Sequence, residues 1–142
     1  MATLKHTTTT VGQRRNGAST LAAILYGWFG FAFLTSSLLI ALYALRNSEL
    51  PVVFGIAMLA GPFSERLGAN AAIATTVLWG VVNVLEMVTG YWLWKSRKQG
   101  GKLGLILFPA GAIFWIGYAL PIMVVVGPLR ILLLASGWKS LR

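Results

Sequence analysis

LGLILFPAGAIFWIGYALPIMVVVGPLRILLLASGW, residues 103–138, carries one charged side chain, Arg130, and three prolines, Pro109, Pro121 and Pro128. As a single helix its 36 residues would run for about 54 Å, well beyond a hydrocarbon core about 30 Å thick. Proline removes a backbone donor and crowds the preceding turn, so a break is expected inside the run. A tight turn near Tyr118 and Pro121 divides it into two short spans, 103–120 and 121–137. Each is then about 24–27 Å long, a deficit that local thinning of the bilayer absorbs.

Two further apolar runs precede this one, 19–45 and 67–94, each long enough to cross with tilt. The first, at 27 residues, is longer than the core of a cleaved signal peptide, and it is expected to remain in the mature protein. Between them, residues 52–63 form an apolar stretch too short to cross as a helix, read as an interfacial or re-entrant segment on the outer face. The expected fold is therefore all-α, an integral membrane bundle of four transmembrane helices. One membrane domain, 19–142, follows a flexible basic tail, 1–18, with its low-complexity threonine run at residues 7–10.

Charge supports this count. The chain of 142 residues is 57% hydrophobic and 11% charged, whereas soluble domains carry roughly 25% charged residues. Twelve Lys and Arg face only Glu49, Glu65 and Glu86, a formal net charge of +9. Four spans place Lys5, Arg14 and Arg15, the loop with Lys95, Arg97, Lys98 and Lys102, and Lys139 with Arg142 on one side of the membrane. The intervening segment 46–66 balances Arg46 and Arg66 against Glu49 and Glu65. By the positive-inside rule both termini are expected in the cytoplasm and the protein in the cell membrane, with Tyr91, Trp92, Trp94 and Trp138 as an aromatic belt. Gly100-Gly101 reads as a turn within the basic loop. No basic stripe is interleaved with aromatics, so nucleic acid is not an expected partner.

Two ionisable residues remain at bilayer depth, Glu86 and Arg130. Each costs about 2.5–3.5 kcal/mol to insert there unless it is paired. Glu86 stands nine residues before Lys95 and Arg130 nine before Lys139, which puts both about 13 Å from the inner boundary. Spans two and four run in the same direction, so an ion pair across their interface is expected. Helical spacing sets Trp79, Asn83, Glu86 and Gly90 on one face of span two, and Met123, Gly127, Arg130, Leu134 and Gly137 on one face of span four. Pro128 also frees the carbonyl of Val124 one turn from Arg130. Asn83, Glu86 and Arg130 thus form the candidate intramembrane polar site or ion pair. Ala23 and Gly27 in span one, with Gly111 and Gly117 in span three, suit close helix packing.

Thr20-Leu21-Ala22-Ala23-Ile24-Leu25-Tyr26, then Gly90-Tyr91-Trp92-Leu93-Trp94-Lys95 with its basic glycine-containing loop, then a terminal hairpin, resemble a broad group of uncharacterised prokaryotic small four-span membrane proteins. The resemblance implies a topology and no activity or substrate. Glu86 and Arg130 depart from that group's pattern.

The chemistry open to the chain is narrow. With no cysteine and only His6, disulfides, thiolate nucleophiles and an ordinary zinc site are excluded, and no cofactor is expected. A Ser/His/Asp set cannot form within a span, and an enzyme acting on lipid or quinone would need residues from a partner chain. The expected role is a non-catalytic subunit or accessory protein of a membrane assembly, in contact with the lipid bilayer and either homo-oligomeric or joined to other membrane subunits. The alternative is a small transporter or channel built on Asn83, Glu86 and Arg130.

Overall fold

Asn16 starts the first helix. Its side-chain oxygen accepts a hydrogen bond from the Ala18 N–H at 3.1 Å, which caps one orphan donor of the first turn, and its carbonyl accepts from the Ser19 and Thr20 hydroxyls. The computed structural model describes residues 16–53, 56–58 and 61–142; most of the expected tail, 1–18, lies outside the described residues. From the Asn16 cap, α1 runs over Gly17–Asn47 and ends at Ser48 in the left-handed region (φ 56°), whose N–H closes on the Ala44 carbonyl at 2.8 Å. Two-residue strands β1 (Val52–Val53) and β2 (Ile56–Ala57) pair antiparallel. Of the stretch expected as an interfacial or re-entrant segment, 52–63, the described residues include this short ladder and the first residues of α2 (Pro62–Trp94). Leu50 and Met58 pack on the bundle core from this end.

Within α2, Gly68 adopts φ 76° and ψ 170°, which breaks the helix. A side chain there would clash with the backbone, so glycine is the residue that permits the break. Among the described residues, Ile73–Trp94, inside the expected 67–94, is long and apolar enough to cross a membrane. Then α3 (Lys98–Gly117) and α4 (Pro121–Gly137) follow, with a 3-10 turn at Trp138–Ser140. Among the described residues, four helices are long and apolar enough to span a membrane, as the division of residues 103–138 requires. The turn between α3 and α4 lies where it was expected: Ala119 takes φ 49°, and Pro121 opens α4 at a position where a missing N–H costs nothing. Pro109 and Pro128 sit inside their helices without ending them.

Gly100-Gly101 is not the turn of the basic loop; both glycines lie inside the first turns of α3. The reversal is made by Ser96 in the left-handed region (φ 56°), which leaves a connection of three residues, 95–97. The glycines are small for packing reasons. A Cβ on Gly100 would lie 2.8 Å from the Leu93 nitrogen, and one on Gly101 would lie 2.6 Å from the Trp138 ring.

The helices run up and down in turn and pack as a ring: α1 against α2 and α4, and α3 against α2 and α4. Opposite members are α1 with α3 and α2 with α4. The core is divided along the bundle axis. One apolar cluster gathers Ile40, Trp79, Val82, Leu107, Phe114 and Tyr118. The other, toward the basic end, gathers Ala22, Ala23, Tyr26, Leu93, Leu134 and Leu141. Between them lies the only charged layer of the described interior, Glu86 and Arg130. The helix faces expected from spacing are the buried ones: Met123, Gly127, Arg130, Leu134 and Gly137 are the buried residues of α4, and Trp79, Asn83, Glu86 and Gly90 are buried on α2.

Candidate functional site

Arg130 reaches across the bundle. Its Nη1 donates to Glu86 Oε1 at 3.0 Å, and its Nη2 donates to the Leu25 carbonyl of α1 at 3.2 Å. Arg130 is 1% exposed, Glu86 3% and Asn83 1%, so neither charge is relieved by contact with the surroundings of the bundle. The guanidinium also lies over two rings of α1, 4.7 Å from the centre of Tyr26 and 5.2 Å from that of Phe29. In a dry interior a cation over an aromatic face gains about 2 kcal/mol.

The expected pair is thus formed, with a different geometry. It bridges the diagonal between α2 and α4 rather than an interface between neighbours. A second tie crosses the other diagonal: the Tyr26 hydroxyl of α1 donates to the Gly104 carbonyl of α3 at 3.2 Å. The two meet where the Arg130 guanidinium lies over the Tyr26 ring, so one stack of two side chains holds all four helices. Replacing Tyr26 with phenylalanine removes the hydroxyl and leaves the ring under Arg130. We expect a loss of about 1 kcal/mol, the ordinary net value of such a bond, measured by thermal unfolding in detergent.

Not every polar atom is used. Asn83 Nδ2, Glu86 Oε2 and Arg130 Nε are buried and form no hydrogen bond among the described residues. Asn83 shares the buried face of α2 with Glu86, three residues away. The Val124 carbonyl freed by Pro128 belongs to an exposed residue of α4 and forms no hydrogen bond with Arg130, which uses the Leu25 carbonyl instead.

Tyr26, Phe29 and the Leu25 carbonyl were not foreseen from the sequence. A signal for Tyr26 existed: it lies nine residues into α1 from Gly17, about 13 Å along the axis, the same depth as Glu86 and Arg130. A separate polar node, in which the Tyr118 hydroxyl donates to Thr75 Oγ1 at 2.7 Å and lies 3.2 Å from Thr76 Oγ1, joins α2 to α3 near the opposite end. It carried no charge to draw attention to it.

Fold and site together define, among the described residues, a bundle of four helices long and apolar enough to span a membrane, clasped between its two apolar clusters by a buried arginine–glutamate pair. No protein-family model, curated protein or solved structure matches the chain.

Proposed function

We propose that the protein is a non-catalytic, multi-pass protein of the cell membrane that acts as a subunit or accessory of a membrane assembly, as a homo-oligomer or beside other membrane subunits. The observation that carries this reading is the closed diagonal pair. Each charge answers the other at 3.0 Å, and no substrate is needed to account for either. The outward side of α1 and α2 supports the second half of the proposal. A groove of about 270 Å³ runs there between Leu34, Leu38, Val77 and Val81, with Ser37, Ala41 and Gly80 at its floor. Small residues at such a place let another helix approach closely, which is how helices associate in lipid. The basic end, with Lys95, Arg97, Lys98, Lys102, Lys139 and Arg142, is assigned to the cytoplasm, as is the N-terminal side of α1 that packs beside it. The resemblance to prokaryotic four-span proteins agrees with this topology.

Purification in mild detergent tests the proposal. We expect a defined oligomer or a stoichiometric partner by light scattering and cross-linking, and we expect Val81→Trp, which overfills the groove from its exposed rim, to weaken the association without unfolding the chain. A monodisperse monomer without partners rejects it.

The three unpartnered atoms favour a second reading, a small transporter or channel with its site at Asn83, Glu86 and Arg130. Two donors and one acceptor are left over, a set that suits a water or a small polar solute in transit. Under this reading proteoliposomes carrying the protein take up protons, detected with an internal pH dye, and Glu86→Gln abolishes the uptake while the helical content is retained. Wild-type vesicles as tight as protein-free ones would remove this alternative.

A further inference from the structure

A second groove lies at the basic end, between α3 and α4. It has a volume of about 410 Å³ and is lined by Leu105, Ile131, Leu134, Ala135, Trp138 and Lys139, a size within the roughly 300–1,000 Å³ of small-molecule sites. Its walls are apolar except at one end, where Lys139 stands. Lys102 precedes Leu105 by three residues on α3 and is exposed, so helical spacing carries it to the same mouth from the other helix. Trp138 forms the wall between the two, its ring pressed against the backbone of Gly101. Among the described residues neither Lys102 nor Lys139 takes part in an ion pair. The groove therefore pairs a long apolar trough with two free cations and an interfacial tryptophan at one end.

We propose that this groove binds one anionic glycerophospholipid of the leaflet at the basic end, an acyl chain lying along Leu105, Ile131 and Ala135 and the phosphodiester held between Lys102 and Lys139. Charge complementarity selects the occupant. A zwitterionic lipid fills the trough equally well but sets its own ammonium against the two lysines, while a transmembrane helix of a partner offers no anion at that depth. Lysines at a membrane surface each strengthen attraction to anionic lipid about fivefold, so the pair together contributes a preference of roughly twenty-five-fold. The site rests on the membrane reading above and is independent of whether the chain serves as a subunit or a transporter.

Native mass spectrometry from detergent micelles tests it, with dioleoylphosphatidylglycerol and dioleoylphosphatidylcholine offered in equal amounts. The expected result is one retained lipid, the glycerol form favoured over the choline form. Changing Lys102→Gln and Lys139→Gln together removes most of that preference, whereas Lys95→Gln with Arg97→Gln, the same loss of charge at the same end but off the groove, leaves it. Ala135→Trp, at an exposed position within the trough, lowers retention of both lipids with the lysines intact. A preference that survives the Lys102/Lys139 change, an equal loss in the Lys95/Arg97 control, or full retention in Ala135→Trp overturns the proposal. So does a lysine-dependent adduct of inorganic phosphate that forms as readily as the lipid complex, since the anion alone would then account for the site. Because these surface changes leave the α1/α2 groove untouched, their outcome is separable from that of the oligomer test.

Discussion

Replacing Glu86 with methionine while keeping Arg130 is expected to destabilise the protein by about 3–5 kcal/mol, because it leaves a buried charge without its partner. Arg130→Met strands the carboxylate instead and is expected to be costly by a similar mechanism. The two differ in one respect. A carboxylate can take up a proton and become neutral, whereas a guanidinium does not lose one in a protein. Lowering the pH therefore relieves the Arg130 variant and leaves the Glu86 variant as unstable as before. The double variant, methionine at both positions, removes both charges and fills their place with apolar volume, so it is expected to recover most of the loss. Thermal unfolding in one detergent, across a pH series, reads all four proteins. Singles that unfold like the wild type, or a double that is no better than the sum of the singles, would show that the pair does not hold the bundle.

This result also bears on the choice between the two functional readings. A structural clasp tolerates its replacement by apolar side chains, because what it supplies is cohesion across the α2/α4 diagonal. A transport site does not. Activity that depends on Glu86 would be lost in the double variant even where stability returns, so stability and proton flux measured on the same four proteins separate the clasp from the site.

Much of the fold was legible because an apolar helix marks its inward face by where it places its small and polar residues. The run Met123, Gly127, Arg130, Leu134, Gly137 follows the helical period, and those are the residues buried on α4. Depth was legible for the same reason, since counting from Lys95 and from Lys139 brought Glu86 and Arg130 to one level, and they meet. Neighbourhood was not. Periodicity says which side of a helix is covered, not which helix covers it, so the pair was expected across an interface and spans a diagonal instead. The loops failed for a different cause. Ser96 and Ala119 make the left-handed turns, positions where glycine is the usual cue, while Gly100-Gly101 carried that cue and is helical because α3 must approach Leu93 and Trp138. The aromatic bed under Arg130 required knowing that α1 borders α4. The unpartnered atoms of Asn83, Glu86 and Arg130 required the geometry itself.

Small residues supply the sharpest contrast between what spacing suggests and what packing demands. Spacing singles out Ala23 and Gly27 on α1 as a close-packing pair, and the contact does form, opposite Gly90 of α2. The demand for glycine is nevertheless one-sided. A Cβ on Gly90 would lie 2.6 Å from the Gly27 nitrogen and 2.9 Å from the Ala23 carbonyl oxygen, backbone atoms that cannot rotate aside. A Cβ on Gly27 meets nothing within 4 Å. Gly90→Ala must therefore push α1 and α2 apart along the contact that sets the height of Tyr26 against Arg130. We expect it to cost at least the 1–3 kcal/mol typical of overpacking, and Gly90→Leu to prevent the bundle from forming. Gly27→Ala, with open space and a helix propensity better by about 1 kcal/mol, should be neutral or stabilising. Unfolding temperatures of the two alanine variants decide the matter: equal losses would mean that both glycines hold the interface, whereas a loss confined to position 90 places the constraint on α2, one turn below the Glu86 carboxylate.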